Sequence, residues 1–445
     1  MRCVVKGFRP RLFGELLRRY RYPHPEVADL MVTGAPILGE FAAGGVWPRD
    51  TKAGSQDPGL HASERIRSGF ATTPAQRSGR AISRAEVLEA NAAWLPSLLA
   101  SIKPGPHDDA LKKACMADVA VGRMSGPFTL EELPPNCVIS RRFPVIQPDK
   151  MRPCDDLLRS GVNSGARILT PVQLASVDAF LASAVTFAAA FPGVPLHLWK
   201  RDHEGAFRQF PVRLEDRVLL AVAIWDPDAG AVRFFLHHVL PFGAIASVFF
   251  YNLLADSLVF LAREMFLIPL FHFYDDFFSV EPAATAAGAF EIFGELNSLL
   301  GCVIKLPKDH LPSPIGPILG LLVRLDVLPF EVSIDHERQE KLIAAIDSIL
   351  AANHLRPARA GKLSGQGNFA SAGLFGRIGR APLRAVYQRK HEKGRRSFAL
   401  TNSLRFALRW LRQVVLSAGP RLVFEPRSLS PRRRGARRRF GGARR

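Results

Sequence analysis

The chain has 445 residues, 47% of them hydrophobic and 22% charged, a balance typical of a globular protein with a sizeable core. Its 60 Lys and Arg outnumber its 40 Asp and Glu, which favours a polyanionic partner such as nucleic acid, with an anionic membrane surface as the alternative. The five cysteines include no C-x-x-C pair, which argues against a disulfide framework or structural zinc and indicates a reducing, intracellular compartment.

The first part of the chain changes character at about residue 80. Residues 1–80 are rich in Gly, Pro and Arg with weak periodicity, so we predict a poorly ordered region. Residues 81–127 are predicted to form a helical extension, in which Ser83 caps a helix that runs to Ile102. From residue 128 onwards, short apolar strands alternate with helices.

An uncharged stretch from Ala179 to Trp199 is apolar enough to suggest a membrane span. Pro192 and Pro195 interrupt it, however, and proline disrupts helix continuity. We therefore predict a buried helix followed by a strand, and no membrane partner.

Two further segments contain possible site residues, one a lone aspartate and the other a glycine turn. The run from Leu198 leads as a strand into Asp202, a residue that in isolation most often caps a helix or forms a turn. Further on, a Leu-Pro-x-Gly turn within Val239–Phe250 opens a helix that we expect to reach about Glu264.

The strongest local signal is Leu267–Val280, LIPLFHFYDDFFSV. Two apolar, aromatic runs flank adjacent aspartates, which predicts a β-hairpin with Asp275 and Asp276 at its turn. Adjacent carboxylates repel each other, and a partly buried pair needs a cation. A solvated turn is the alternative, and the dense aromatic flanks argue against it.

The C-terminal part is predicted to be helical over residues 331–425 and to end in a disordered, arginine-rich tail over residues 426–445. The tail is interpreted either as a nucleic-acid arm or localisation signal, or as the product of a truncated or frameshifted reading frame.

In their order, these segments resemble the palm motifs of reverse transcriptases, particularly those of LTR and tyrosine-recombinase retrotransposons. Asp202 with Phe207 resembles the first motif, LPFGAIAS the second and FYDDFF the third. In the third motif Phe273 stands where the family more often carries tyrosine, which leaves the role of Tyr274 open.

The resemblance implies an α+β right-hand polymerase, with fingers and an antiparallel, helix-backed palm over residues 128–330 and a helical thumb or connection over 331–425. It also implies an RNA-directed DNA polymerase that takes an RNA or DNA template-primer and deoxynucleoside triphosphates. Asp202, Asp275 and Asp276 would be the catalytic residues and the ligands of two Mg²⁺ ions, or of Mn²⁺ in their place.

The same resemblance implies the substrate contacts. Lys150 and Arg152, in a segment that resembles the fingers hairpin, would meet the nucleotide triphosphate. The ring of Phe207 would exclude the 2′-hydroxyl of a ribonucleotide. The residues that would border the nucleotide or its phosphates are Gln209, Phe242, Gly243 and Lys305. The segment Pro317–Val323 resembles the primer grip, with Gly320 at its turn, and Lys362–Tyr387 resembles the thumb.

Two other functions stay open at this stage. One is a retroelement-derived protein that binds nucleic acid but no longer catalyses. The other is an RNA-dependent RNA polymerase, which would be expected to carry a small polar residue where Phe207 stands. The sequence leaves the oligomeric state undetermined.

Overall fold

The computed structural model describes residues 7–47, 81–147, 150–374, 383–392, 398–417 and 419–424. The arginine-rich tail predicted for residues 426–445, and residues 1–6 and 48–80 of the predicted N-terminal region, lie outside the described residues.

The helices are α1 Pro10–Arg19, α2 Val27–Thr33, α3 Arg84–Ser101, α4 Asp108–Ala120, α5 Val177–Ala190, α6 Ile245–Phe266, α7 Ala283–Leu300, α8 His336–Ala352, α9 Pro357–Leu374, α10 Arg384–His391 and α11 Asn402–Ser417. The strands are β1 Gly39–Phe41, β2 Met124–Phe128, β3 Ile139–Gln147, β4 Lys150–Asp155, β5 Ala166–Ile168, β6 Leu196–Asp202, β7 Ala221–Asp226, β8 Ala231–His237, β9 Phe271–Phe273, β10 Asp276–Pro282, β11 His310–Ser313, β12 Ile315–Ile318, β13 Leu321–Arg324, β14 Phe330–Ile334 and β15 Arg421–Val423.

The chain divides into two compact units, both of which mix helices with sheet. The first comprises residues 1–176, 199–280 and 284–312, and the second residues 177–198, 281–283 and 313–445. Each unit is therefore assembled from segments that are discontinuous in sequence.

The first unit contains the sheets that carry the predicted motifs. A four-stranded sheet has the order β11-β6-β10-β9. A five-stranded sheet has the order β2-β8-β7-β3-β4. In it, β3 and β4 form an antiparallel hairpin, with Arg142 opposite Asp155 and Val145 opposite Arg152.

Several predicted elements are confirmed. The side chain of Ser83 accepts a hydrogen bond from the Glu86 N–H, and the Glu86 side chain accepts one from the Ser83 N–H, so the capping box starts α3. The uncharged stretch at 179–199 forms α5 and then β6, which ends at Asp202. Helix α6 follows the Leu-Pro-x-Gly turn and ends at Phe266, two residues beyond the predicted end.

Helix α6 is also the one helix among the described residues that is long and apolar enough to cross a membrane. Most of it is buried, with Phe249, Tyr251, Leu254 and Leu258 inside the largest hydrophobic cluster of the protein. Burial explains its composition, since a helix that is hydrophobic all round is stable at the centre of a large core.

The prediction of poor order is wrong for residues 7–47. They form α1, α2 and β1, and Phe13, Leu17 and Trp47 are buried in the same cluster as α6. The Trp47 indole donates a 2.7 Å hydrogen bond to the Asp256 carboxylate of α6. The partners of this segment in α6 lie more than 200 residues away in sequence, so its local composition carries no sign of them.

Charged side chains are buried where β3, β4 and β8 meet. Arg142 donates to both carboxylate oxygens of Asp155, at 2.7 and 3.1 Å. His237 lies 3.0 Å from Asp155 and 2.8 Å from a guanidinium nitrogen of Arg208, which also pairs with Asp118 at 2.6 Å. Asp155, Arg142 and His237 are almost inaccessible to solvent. His237 is thus a structural residue.

The second unit contains a sheet of order β12-β13-β14-β15 and the helices α5 and α8–α11. β12 and β13 form the predicted antiparallel hairpin, with Ile318 opposite Leu321. Gly320 lies in its turn with φ of 78°, and a Cβ there would meet the Arg338 guanidinium at 2.0 Å. The backbone conformation therefore favours glycine at this turn, whereas the Arg338 side chain could move to make room for a Cβ.

Candidate active site

The first aspartate of the candidate site ends strand β6. Side chains alternate between the faces of a strand, so Lys200 and Asp202 share one face. Trp199 and Arg201 occupy the other face, where both pack on α7. The Arg201 guanidinium lies 3.7 Å from the centre of the Phe290 ring, and the Trp199 ring meets the same ring edge-on at 5.7 Å. Helix α7 therefore covers the face opposite Asp202.

The other two aspartates lie at the hairpin of β9 and β10, as predicted. Phe273 pairs with Asp276, which leaves Tyr274 and Asp275 as the two-residue turn. Tyr274 has φ of 53°, in the left-handed region. This conformation costs an L-residue roughly 1–2 kcal/mol, and such strain is found preferentially at functional sites.

The fold brings the three carboxylates together. β6 and β10 are neighbours in the sheet. The N–H of His203 donates to the backbone carbonyl of Asp275 at 2.9 Å, which ties the end of β6 to the hairpin turn. The carboxylates of Asp202 and Asp276 lie within hydrogen-bonding reach of each other. Residues 73 positions apart thus form one acidic cluster.

Two lysines contact this cluster, and sequence reasoning missed both as site residues. Lys308 Nζ lies 2.6 Å from Asp202 Oδ2, and Lys200 Nζ lies 2.7 Å from Asp276 Oδ1. Lys200 could have been found from strand alternation, because it lies two residues before Asp202. Lys308 gave no such signal, since its contact is made by the fold across 106 residues.

The electrostatics of the site follow from burial and from charges of both signs. Burial raises the pKa of Asp275, and the negative charge of Asp276 adds to the rise. Burial also raises the pKa of Asp276, which Lys200 lowers and Asp202 raises again. Burial lowers the pKa of Lys308, but its hydrogen bond to Asp202 and the negative charges of the three aspartates together outweigh this, and the net shift is upward. The cluster is therefore crowded with negative charge that the two lysines offset only in part.

A buried hydrogen-bonded chain supports the site from behind. His203 Nε2 lies 2.8 Å from the Asn297 side-chain oxygen, and His203 Nδ1 lies 3.1 Å from the Tyr251 hydroxyl. Burial lowers the pKa of His203 to about 4, so the ring is neutral near pH 7. These contacts fix the residue that follows Asp202.

Phe207 lies in a short 3₁₀ turn just after β6, between two other aromatic rings. Its ring centre is 5.4 Å from that of Phe242 and 5.4 Å from that of Tyr251. Phe242 is 43% exposed, so this aromatic group opens to solvent on one side. The structure thus brings two predicted nucleotide-pocket residues into contact.

Gln209 lies beside them, but its amide is occupied by the backbone. Its nitrogen donates to the carbonyls of Glu204 and Val303 at 2.8 and 2.9 Å, and its oxygen accepts from the Val303 N–H at 2.9 Å. Gln209 therefore joins the backbone after Asp202 to the backbone near Val303, and its amide has little hydrogen-bonding capacity left for a nucleotide. This differs from the contact predicted for it.

Gly243 forms the turn before α6 with φ of 102°. A Cβ at this position would approach the Asp155 carbonyl to 3.0 Å. Asn163 clamps the turn, because its amide nitrogen donates to the Gly243 carbonyl and its oxygen accepts from the Ile245 N–H, both at 2.9 Å. Asn163 thus fixes the backbone of the turn that precedes α6.

The three residues predicted to bind phosphate, Lys150, Arg152 and Lys305, lie at different places in the fold. Arg152 is exposed on β4, in the five-stranded sheet rather than the sheet of the aspartates. The side chain of Lys150 lies outside what the structure describes. Lys305 contributes its backbone, whose N–H donates to the Asp202 carbonyl at 2.7 Å. Lys308, not Lys305, brings an ammonium group to the carboxylates.

The donor chemistry of the cluster fits Mg²⁺, which prefers carboxylate oxygens. In the part of the chain that the structure describes, no three His, Cys, Asp or Glu side chains form a ready metal site. Lys200 and Lys308 hold two of the three carboxylates instead. The residues thus fit divalent cations in charge and ligand type, provided that the ammonium groups move away.

No protein-family model and no curated protein matches this sequence. Among solved structures, the chain is similar to the foamy viral protease-reverse transcriptase in complex with an RNA/DNA hybrid, with a TM-score of 0.50 and 13% identity, over 71% of this chain and 38% of that chain. A second structure, of a form of the enzyme in complex with double-stranded DNA, has a TM-score of 0.49 and 14% identity, over 72% of this chain and 52% of that chain. The chain therefore has a reverse transcriptase-like fold and spans about two fifths of the length of the first neighbour.

Proposed function

We propose that this chain is a reverse transcriptase, an RNA-directed DNA polymerase of a retrotransposon. The observation that carries the proposal is the convergence of Asp202 with Asp275 and Asp276. The reverse transcriptase-like fold supports it. The excess of positive charge suits a template-primer of RNA or DNA, whose phosphates bind Lys and Arg without regard to sequence.

Primer extension is the attack of a 3′-hydroxyl on the α-phosphate of a deoxynucleoside triphosphate, and the protein contributes positioning and charge neutralisation. Asp202 and Asp275 would hold two Mg²⁺ ions and Asp276 one of them, and the ions would stabilise the attacking and leaving oxygens. Lys200 and Lys308 would then release the carboxylates. Lys308 would be available to contact a phosphate, the role expected of Lys305 from the sequence.

Phe207 would select the sugar. Its ring is backed by Tyr251 and flanked by Phe242, so it cannot swing away without disturbing two neighbours. A ribose 2′-hydroxyl placed against such a ring would overlap it. Deoxynucleotides are therefore the favoured substrates, which separates this proposal from an RNA-dependent RNA polymerase.

The same proposal assigns the fingers, palm and thumb to parts of the chain. Residues 128–330 would form the fingers and palm, with the β3–β4 hairpin as the mobile finger that carries Lys150 and Arg152. Residues 331–425 would form the thumb or connection. The protein would work inside the cell, as its reduced cysteines suggest. Cys115, Cys137, Cys154 and Cys302 are all free.

The test is primer extension by the purified chain on poly(rA) primed with oligo(dT), with dTTP and Mg²⁺. We expect extension by the wild type and loss of it in Asp275→Asn, with RNA binding retained by both. Asp228→Asn is the matched control, because Asp228 is an exposed carboxylate paired with Lys112. A folded wild-type chain that binds RNA in a salt-sensitive manner but extends no primer would favour the second candidate, a non-catalytic nucleic-acid-binding protein.

A further inference from the structure

Helix α1 carries a row of arginines that the proposed reaction does not use. They are Arg9, Arg11, Arg18, Arg19 and Arg21, all exposed. None of their guanidinium groups forms a hydrogen bond or an ion pair with another residue that the structure describes. Arg18 and Arg19 follow Arg11 by seven and eight residues, a spacing that places all three on one face of a helix.

The opposite face of α1 is buried. Phe13 and Leu17 are fully inaccessible and pack in the cluster that includes α6. The N–H of Arg9 donates to the carbonyl of Leu300, the last residue of α7, at 3.0 Å. Helix α1 is thus fixed to the helix layer of the first unit, so its arginine face has a defined direction.

Helix α1 lies on the helix side of the sheet of the aspartates. Helix α7 covers the face of the sheet that carries Trp199 and Arg201, whereas Lys200 and Asp202 lie on the other face. Helix α1 is hydrogen-bonded to the end of α7 and packs in the same hydrophobic cluster as α6 and α7, so it belongs to this helix layer. A ligand of its arginines would therefore contact residues other than the three aspartates.

The charges of α1 favour an external anion. The first turn contains no acidic residue, and the N-cap, Arg9, makes no side-chain capping bond. Positive side chains at a helix N-terminus oppose the helix dipole, and acidic ones are preferred there. Arg9 and Arg11 therefore add to the positive end of the dipole, and Glu15 is the sole carboxylate between Pro10 and Arg19.

We propose that the arginine face of α1 binds the phosphate backbone of a nucleic-acid strand, at a second site on the helix side of the sheet. Guanidinium groups pair with phosphate oxygens through two parallel hydrogen bonds. The alternative ligand is an anionic membrane. A membrane-bound amphipathic helix inserts its apolar face, and the apolar face of α1 is already buried in the protein core.

The inference is tested by the binding of a fluorescent, unstructured poly(U) RNA, measured by anisotropy from 50 to 300 mM salt. Removing two phosphate contacts with Arg11→Gln/Arg18→Gln should make the slope of log K against log[salt] shallower by about 1.4, which weakens binding roughly 25-fold at 0.1 M salt. Glu15→Gln should tighten binding. Arg11→Lys/Arg18→Lys, which keeps both charges, should retain most of the salt dependence.

The matched control is Lys103→Gln/Lys113→Gln, which removes two exposed charges from the same unit. An equal loss of salt dependence in this control would overturn the inference, because net charge alone would then explain the effect. So would unchanged RNA binding in Arg11→Gln/Arg18→Gln, with or without a loss of binding to phosphatidylserine vesicles. Unaltered thermal unfolding shows that the variants are folded.

This inference does not depend on the proposed polymerase activity. Extension of a short primer-template should proceed equally in the wild type and in Arg11→Gln/Arg18→Gln. If the chain extends no primer but its RNA binding still falls in this variant, the second site stands and the proposed function fails. If the chain extends the primer and RNA binding is unchanged in this variant, the proposed function stands and the second site fails.

Discussion

Single residues in this protein are placed by contacts that the sequence reveals to different degrees. Asp275 and Asp276 were singled out because they form a pair between two apolar runs, whereas Asp202 was identified only through the resemblance to the first palm motif. The contact of Lys308 with Asp202 was not found from sequence, because it joins a short 3₁₀ turn to a strand end that lies far away in the chain. Gln209 was placed correctly beside Phe207, but its hydrogen bonds to the backbone could not be foreseen.

Substitution of Phe207 tests the proposed choice of sugar. Phe207→Ala removes the ring and should improve incorporation of UTP relative to dTTP by roughly 5- to 150-fold, since overpacking costs roughly 1–3 kcal/mol. Phe207→Tyr keeps the ring and should discriminate like the wild type. The ratio of kcat/KM for dTTP and UTP is the measurement. An unchanged ratio in Phe207→Ala would show that another residue excludes the 2′-hydroxyl.

Two buried histidines predict how stability depends on pH. Burial lowers the pKa of His203 to about 4 and that of His237 to about 3, from 6.5. Between pH 6.5 and 4 the unfolded chain therefore binds more protons than the folded one, and stability is lost as the pH falls. Two such groups contribute about 2.7 kcal/mol per pH unit in this window.

Urea unfolding between pH 6.5 and 5.5 isolates this effect from the titration of most carboxylates. A stability that stays constant over this interval would mean that both rings are already charged in the folded protein. His203→Asn should reduce the slope by about half, because only one of the two rings then remains to titrate.

At the scale of elements, local patterns predicted most of the structure around the site. The apolar runs around the two aspartates gave the β9–β10 hairpin, and the Ser83 cap gave the start of α3. The β12–β13 hairpin was expected from the resemblance to the primer grip. The N-terminal elements were missed because α1 and α2 are short and gain their stability from packing against α6. Helices of this length are marginal in isolation.

The buried network of β3, β4 and β8 gives a prediction about these elements. Asp155→Asn leaves Arg142 buried without its ionic partner, which typically costs 3–5 kcal/mol. The free energy of unfolding in urea should fall by about that amount. Asp228→Asn, at an exposed pair in the same unit, should change it by less than about 1 kcal/mol. Similar values for both variants would show that the network is not needed for the stability of the β3–β4 hairpin.

At the scale of the whole molecule, composition indicated a large, basic, globular protein, and the two compact units agree with that expectation. Their discontinuous assembly could not be predicted, because segments such as residues 177–198 and 281–283 join the second unit from within the first. The overall fold was inferred from the order of the motifs, and the structure is similar to that of a solved reverse transcriptase at 13% identity.

The most direct test of the central claim is a count of bound cations. Electron paramagnetic resonance can follow a titration of Mn²⁺ into the chain bound to a primer-template and a non-hydrolysable deoxynucleotide. We predict two tightly held Mn²⁺ ions per wild-type chain and at least one fewer in Asp202→Asn. Equal numbers of Mn²⁺ ions in the wild type and in Asp202→Asn would contradict the assignment of these carboxylates as the metal ligands.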